Sequence, residues 1–153
     1  PLYSSAASDV YKRQLQDAAH VDSVVIKDGK FEFVADTTEM KVIRVDYHYR
    51  DGVQDLLVVS EPGDIKVTVG ANSISGGTPQ NDSLQAWKDQ IMKFNRAYNQ
   101  LRMQARQEGT DQLLMTKGKE MQNQLKEYNI AFLKRQPAGV FKDFLQNMYP
   151  SAK

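Results

Sequence analysis

The stretch "SISGGTPQNDSLQAWK", Ser73 to Lys88, holds the residue types most suggestive of chemistry in this chain. Adjacent glycines ahead of a helix start could cradle a phosphate, because a helix N-terminus offers unpaired N–H groups and a positive dipole end. The known solutions are stricter than that. A Walker loop needs G-x-x-x-x-G-K-[ST], with lysine on the phosphates and a hydroxyl on the magnesium. Here Gly76 and Gly77 are adjacent, and no Lys-Ser or Lys-Thr follows. A dinucleotide site needs G-x-G-x-x-G between a strand and a helix of a parallel unit, and that spacing is missing. Asp82 would also oppose an anion at this point. The glycines read instead as the backbone's way out of a sheet, with Pro79 stiffening the exit.

The other candidates are the histidines and one acidic group. His20 precedes the first strand, and His48 falls in the polar set of its own strand. Neither has a carboxylate or a second histidine at a ligand spacing, so both read as exposed structural residues. Asp46, Asp51 and Asp55 straddle a turn, but the order D-x-[DN]-x-[DN]-G with a later Glu is absent. There is no cysteine, which removes disulfides, thiolate metal sites and thiol catalysis from this chain. The sequence nominates no catalytic, cofactor-binding or metal-ligating residue, and no cofactor.

Two kinds of pattern surround these residues. Between residues 21 and 75 short β-rich runs alternate with turns. Val24–Ile26 and Phe31–Val34 form a hairpin through Asp28-Gly29, a dipeptide that accepts positive φ. Phe31 and Phe33 take one face, Lys30 and Glu32 the other. In "KVIRVDYHYRDG", Ile43, Val45, Tyr47 and Tyr49 point one way, and Asp51-Gly52 makes the next turn. "VQDLLVVS" is a continuous apolar run, as expected of a strand covered on both faces. "SEPGD" turns at Pro62-Gly63, and "IKVTVG" alternates with Ile65, Val67 and Val69 inward. Hairpin-length links make the sheet antiparallel.

From residue 81 the period changes. Asn81, Asp82 and Ser83 are N-cap types placed directly before an apolar repeat. Leu84, Trp87, Ile91, Phe94, Tyr98, Leu101 and Ala105 lay a narrow stripe along one long helix. Gly109 ends it, and Thr110 or Asp111 caps the next. Leu114, Gly118, Met121, Leu125, Tyr128 and Phe132 repeat the spacing, so the two helices form an antiparallel hairpin. Pro137 and Gly139 end the second helix, and "VFKDFLQNMY" makes a short third. The aromatic stripe is packing, and Gln100, Gln104, Gln107, Gln122, Asn123 and Gln124 form a neutral solvated face.

The fold class is therefore α+β: a sandwich-like antiparallel sheet half, 15–77, and a helical half, 81–149, as one domain of residues 15–149 sharing a core. Chain length allows a single core. Net charge is +1, but residues 1–80 carry 8 basic and 12 acidic groups while 81–153 carry 12 and 7. The basic residues of the helical half are scattered, which reads as a solvated face; an anionic-partner surface is the other reading. No run approaches the ~18 apolar residues of a membrane span. Pro1–Gln14, "PLYSSAASDVYKRQ", lacks core periodicity and closely resembles a translated sequencing adaptor. It is set outside the fold as a non-native or disordered tail.

Four segments then carry a family resemblance: "DSVVIKDGKFEF" (Asp22–Phe33), "SEPGDIKVTV" (Ser60–Val69), "SGGTPQND" (Ser75–Asp82) and "FLKRQPAGVFKDFL" (Phe132–Leu145). In this order and spacing they resemble the N-terminal domain of unknown function that precedes a thioredoxin-like domain, of the peroxiredoxin/resA type, in Gram-negative envelope proteins. The resemblance covers nearly all of residues 15–149. It implies a β-sandwich-like domain carrying a helical hairpin, exported by a lipoprotein-type signal to the periplasm or outer membrane. It further implies a parent engaged in thiol–disulfide exchange, whose Cys-x-x-Cys pair lies in the later domain. Residues 150–153 would lead into that domain, and no catalytic residue carries over to this chain. The expected role is a non-catalytic accessory domain that positions the redox domain or its partner. The alternative is a stand-alone envelope module binding a protein or peptide. Implied partners are the thioredoxin-like domain and another envelope protein, with no nucleic acid and with membrane contact only through an upstream lipid anchor.

If the stripe is packing, Trp87→Ala should lower the unfolding free energy by about 3–5 kcal/mol. Urea denaturation measures this, and a change within about 0.5 kcal/mol would place the stripe in solvent.

Overall fold

The computed structural model describes residues 2–6, 12–16, 21–35, 38–45 and 54–150. Its elements are β1 (Leu2–Ala6), β2 (Lys12–Gln16), β3 (Val21–Val25), β4 (Lys30–Phe33), β5 (Glu39–Val45), β6 (Leu56–Ser60), β7 (Ile65–Val69) and β8 (Ile74–Gly76), then α1 (Pro79–Glu108), α2 (Lys119–Arg135) and α3 (Val140–Met148). The class is α+β. The chain divides into two compact units, Pro1–Gln85 and Ala86–Lys153. No helix among the described residues is long and apolar enough to cross a membrane.

In the first unit the strands make two four-stranded sheets, ordered β4-β1-β7-β8 and β3-β2-β5-β6. The core draws on both. Phe31, Phe33, Ile65, Val67 and Val69 from one sheet cluster with Ile43, Leu56 and Val58 from the other, and Ile26 joins them. Alternation builds this face: β4 and β7 bury every second residue and expose Lys30, Glu32, Lys66 and Thr68. The run in β6 is buried almost continuously, as a strand covered on both faces must be.

Three features depart from the sequence reading. The Asp28-Gly29 turn forms, with φ of 52° and 70° and paired bonds of 2.8 and 2.9 Å between Lys27 and Lys30. Beyond that pair, however, β3 and β4 enter different sheets. Ile26, Phe31 and Phe33 are thereby drawn into one cluster rather than onto one ribbon. Secondly, the ladder between β1 and β7 is parallel, running from Leu2↔Ile65 to Ala6↔Val69. A parallel pair needs a long crossover, which no reading of hairpin-length links supplies. Thirdly, Pro1–Gln14, which its lack of periodicity places outside the fold, contributes β1 and the start of β2. β1 lies between β4 and β7 and pairs with both. The proposed turn at Asp51-Gly52, together with Tyr47 and Tyr49, lies outside the described residues.

The second unit is helical. α1 closes with bonds from Gly109 N to Arg106 O and from Thr110 N to Ala105 O, the double C-cap that glycine makes possible at φ 68°. Thr110 Oγ1 then accepts from Gln112 N at 3.2 Å and starts the following helix. That helix starts at Gln112, passes through a π-helical turn at Leu114–Gly118 and continues as α2. Trp87, buried, meets Phe141 edge to face at 6.4 Å, and Phe132 meets Phe141 at 6.2 Å. The Trp87 indole N–H donates to Asn129 Oδ1 at 3.1 Å. Further along, Gln122 Nε2 donates to Tyr98 Oη at 3.4 Å, and Gly118 sits against Tyr98 and Leu101. Contacts thus fall along α2 as they rise along α1.

Two glycines in these elements should respond oppositely to substitution. Gly77 has φ 92°, and a Cβ there would lie 2.7 Å from the Asp64 carbonyl oxygen. Gly118 is helical, and its added Cβ would meet Tyr98 Cε2 at an ordinary 3.4 Å. Gly77→Ala should cost about 2 kcal/mol or more, whereas Gly118→Ala should gain up to about 1 kcal/mol from helix propensity. Equal effects in chemical denaturation would refute the close approach at Gly77.

Candidate functional site

The joint between sheet and helix gathers several buried and half-buried hydrogen bonds of the first unit. α1 begins at Pro79, earlier than the Asn81–Ser83 caps predict. Proline suits the first helical position, since its missing N–H would have no partner there. The Thr78 carbonyl accepts the first intrahelical bond, from Asp82 N at 2.9 Å. Asn81, Asp82 and Ser83 therefore lie inside the first turns, and their side chains are free for other work.

Asn81 is fully buried. Its Oδ1 accepts from Val59 N at 2.8 Å, and its Nδ2 donates to Val59 O at 2.7 Å and to Thr78 Oγ1 at 2.8 Å. β6 is the last strand of its sheet, so the carboxamide takes the place of a neighbouring strand's peptide group. One turn on, Gln85 Oε1 accepts from Ser75 N at 3.0 Å, on β8, the last strand of the other sheet. Gln54 repeats the device, its Oε1 accepting from Ser73 N at 2.9 Å while its carbonyl accepts from Ser73 Oγ at 2.6 Å.

The helix N-terminus is occupied by an anion belonging to the chain itself. Glu61, from the "SEPGD" turn, accepts from Gln80 N at 2.8 Å and from Gln80 Nε2 at 2.7 Å. A carboxylate here is favoured by the helix dipole. Asp82 Oδ1 accepts from Gly77 N at 3.0 Å, which fixes the glycine exit. The geometry that could suggest a phosphate cradle is thus closed by Glu61 and Asp82.

His20, His48, Asp46 and Asp51 lie outside the described residues. Asp55 approaches Arg44, with 3.3 Å between Oδ2 and Nε. Lys41 is buried on the Ile43 side of β5 with its ammonium 3.5 Å from Glu39. Among the described residues no group of three or more His, Asp or Glu is placed to hold a metal ion.

Among the described residues, concavities of the helical unit include the following two. One, of about 190 Å³, is lined chiefly by Lys93, Phe94, Met121, Leu125 and Tyr128. The other, of about 390 Å³, lies at the turn after α1 among Arg102, Arg106, Gly109, Thr110, Asp111 and Leu114. Burial raises the Tyr128 phenol above its ordinary value, partly offset by the Arg135 charge, and burial alone raises Tyr149. Lys88 is lowered by burial, with Asp89 acting in the opposite direction. The predicted neutral face is exposed throughout, from Gln100 to Gln124.

Sequence reasoning missed Glu61, Gln85 and Asn129 as structural partners and gave Asn81 the wrong role. For Asn81 a signal existed: Thr-Pro directly before "QND" marks Thr78 as the cap and Pro79 as the first helical residue.

Comparison with known proteins gives one family match. The family described as Domain of unknown function (DUF4369) matches residues 4–84, more than half of the chain, from within β1 to the first turns of α1. No curated protein and no solved structure matches.

The joint makes a sharp energetic contrast. Asn81→Leu removes both partners of a buried peptide group and should cost about 2–5 kcal/mol. The exposed Gln100→Ala should stay within about 0.5 kcal/mol. A similarly small loss for Asn81→Leu in urea denaturation would mean that water replaces the amide.

Proposed function

The chain belongs to the DUF4369 family, and from that premise we propose that it is a non-catalytic accessory domain of an exported thioredoxin-like thiol–disulfide oxidoreductase of the Gram-negative envelope. In this role it positions the redox domain or the protein that domain acts on. The observation that carries the reading is the ordered set of four segments, from "DSVVIKDGKFEF" to "FLKRQPAGVFKDFL", that resembles such N-terminal domains. Two of them, "SEPGDIKVTV" and "SGGTPQND", meet at the joint through Glu61 and Gln80, so the motifs behind the resemblance are also those that build the fold. With no cysteine in the chain, the thiol chemistry would belong to another part of the polypeptide.

The proposal includes a lipoprotein-type export signal upstream and a Cys-x-x-Cys domain downstream. It also reads Pro1–Gln14 as a translated adaptor standing where the natural chain supplies a strand between β4 and β7. The support is the resemblance of that peptide to a translated adaptor. A stand-alone binding module of the envelope is the second reading, favoured by the two concavities of the helical unit.

The complete reading frame at the gene locus tests the proposal. It should show a different sequence upstream of Leu15, a lipoprotein-type signal, and a Cys-x-x-Cys motif following in frame. A natural stop directly after Lys153 would remove the accessory role and leave the binding module. Insulin reduction with dithiothreitol should proceed at the blank rate in the presence of this chain, and turnover would overturn the non-catalytic reading.

A further inference from the structure

We propose that the cleft at the turn after α1 is an oxyanion-binding site, taking a carboxylate or a phosphate through Arg102 and Arg106. The two side chains stand one helical turn apart, are exposed, and open on the same cavity of about 390 Å³. That volume falls in the range of small-ligand sites.

Neither guanidinium makes an ion pair or hydrogen bond with any described residue. Two like charges at this spacing destabilise a helix when nothing lies between them. The helix dipole accounts for only one of them. Arg106 lies in the last turn of α1, where a cation is favoured. Arg102 lies a turn earlier, where that effect has decayed. An oxyanion between the two forks would relieve the repulsion, and guanidinium geometry suits it through parallel N–H···O bonds.

The surroundings fit an anion of modest size. Gly109 leaves open space where any other residue would carry a Cβ. The double C-cap fixes the backbone of Gly109 and Thr110, which line the cleft. Leu114, which also lines the cleft, is the first residue of the π-helical turn, a distortion that recurs at functional sites. Asp111 also lines the cleft, but its carboxylate is beyond 4 Å of either arginine, so it tempers the site without filling it. The inference is independent of the thioredoxin reading. The anion could come from an acidic side chain or chain end of a polypeptide, or from a phosphorylated ligand.

The test is a titration of the isotope-labelled full chain, followed by amide chemical shifts at constant ionic strength. Sodium phosphate and sodium acetate are the probes, and sodium chloride is the control. Saturable shifts confined to the region around residues 102–114 are expected with at least one probe and absent with chloride. Stronger binding of phosphate would indicate a phosphorylated ligand, and stronger binding of acetate a polypeptide carboxylate. The double variant R102Q/R106Q, whose changed side chains are exposed, should weaken binding by about tenfold or more. D111N should strengthen it severalfold, since an opposing charge is removed. Shifts equal to those with chloride, no saturation with either probe, or unchanged affinity in the double variant would each overturn the site.

Discussion

A side-chain carboxamide can stand in for a peptide group, and the joint of this fold depends on that substitution. β6 and β8 each end a sheet among the described residues, so each presents backbone groups with no described strand paired to that side. Val59 and Ser75 are nonetheless buried, and a buried peptide group without a partner costs about 1–3 kcal/mol. Asn81 supplies both a donor and an acceptor to Val59, and Gln85 an acceptor to Ser75. The two lie four residues apart, hence on one side of α1. A single helical face thereby serves one edge of each sheet. An apolar pair at these positions would pack but would leave the edges unsatisfied or open to pairing with other chains.

Close backbone approach is the second constraint at the same place. The "SEPGD" turn and the "SGGTPQND" exit pass near enough that only hydrogen fits at Gly77. Glu61 and Asp82 then saturate N–H groups of the helix start and of the exit strand. The helical unit solves its own polar problem in the same currency. The bulk of Trp87 favours burial, its indole N–H requires an acceptor, and Asn129, almost fully buried, provides one.

What was legible in the sequence was local. Alternation in β4 and β7, the continuous run of β6, the positive-φ turns at Asp28-Gly29 and Gly63, and the helix stop at Gly109 all follow from rules spanning a few residues. What was illegible was pairing. Nothing in "KDGKFEF" says that β3 and β4 part after Lys27–Lys30, because that choice depends on where Ile43, Leu56 and Val67 sit. The parallel ladder of β1 with β7 joins residues about sixty positions apart, and Asn81 reaches back 22 residues to Val59. Periodicity tells which face a residue takes but not which strand lies opposite.

The same distinction bears on where function can reside. A glycine pair, a helix N-terminus and acidic residues nearby look like binding chemistry when read in order. In three dimensions each is matched by another part of the same chain: Gly77 by Asp64 and Asp82, the helix N-terminus by Glu61, Asn81 by the β6 edge. Polar groups that complete one another in this way define a joint, and a ligand could enter only by breaking bonds the fold already makes. Recognition by such a chain has to use groups whose bonding capacity the fold leaves open, and among the described residues the arginines of the α1 turn are of that kind. The residues that make the family recognisable and the residues that would meet a partner are, on this argument, different sets.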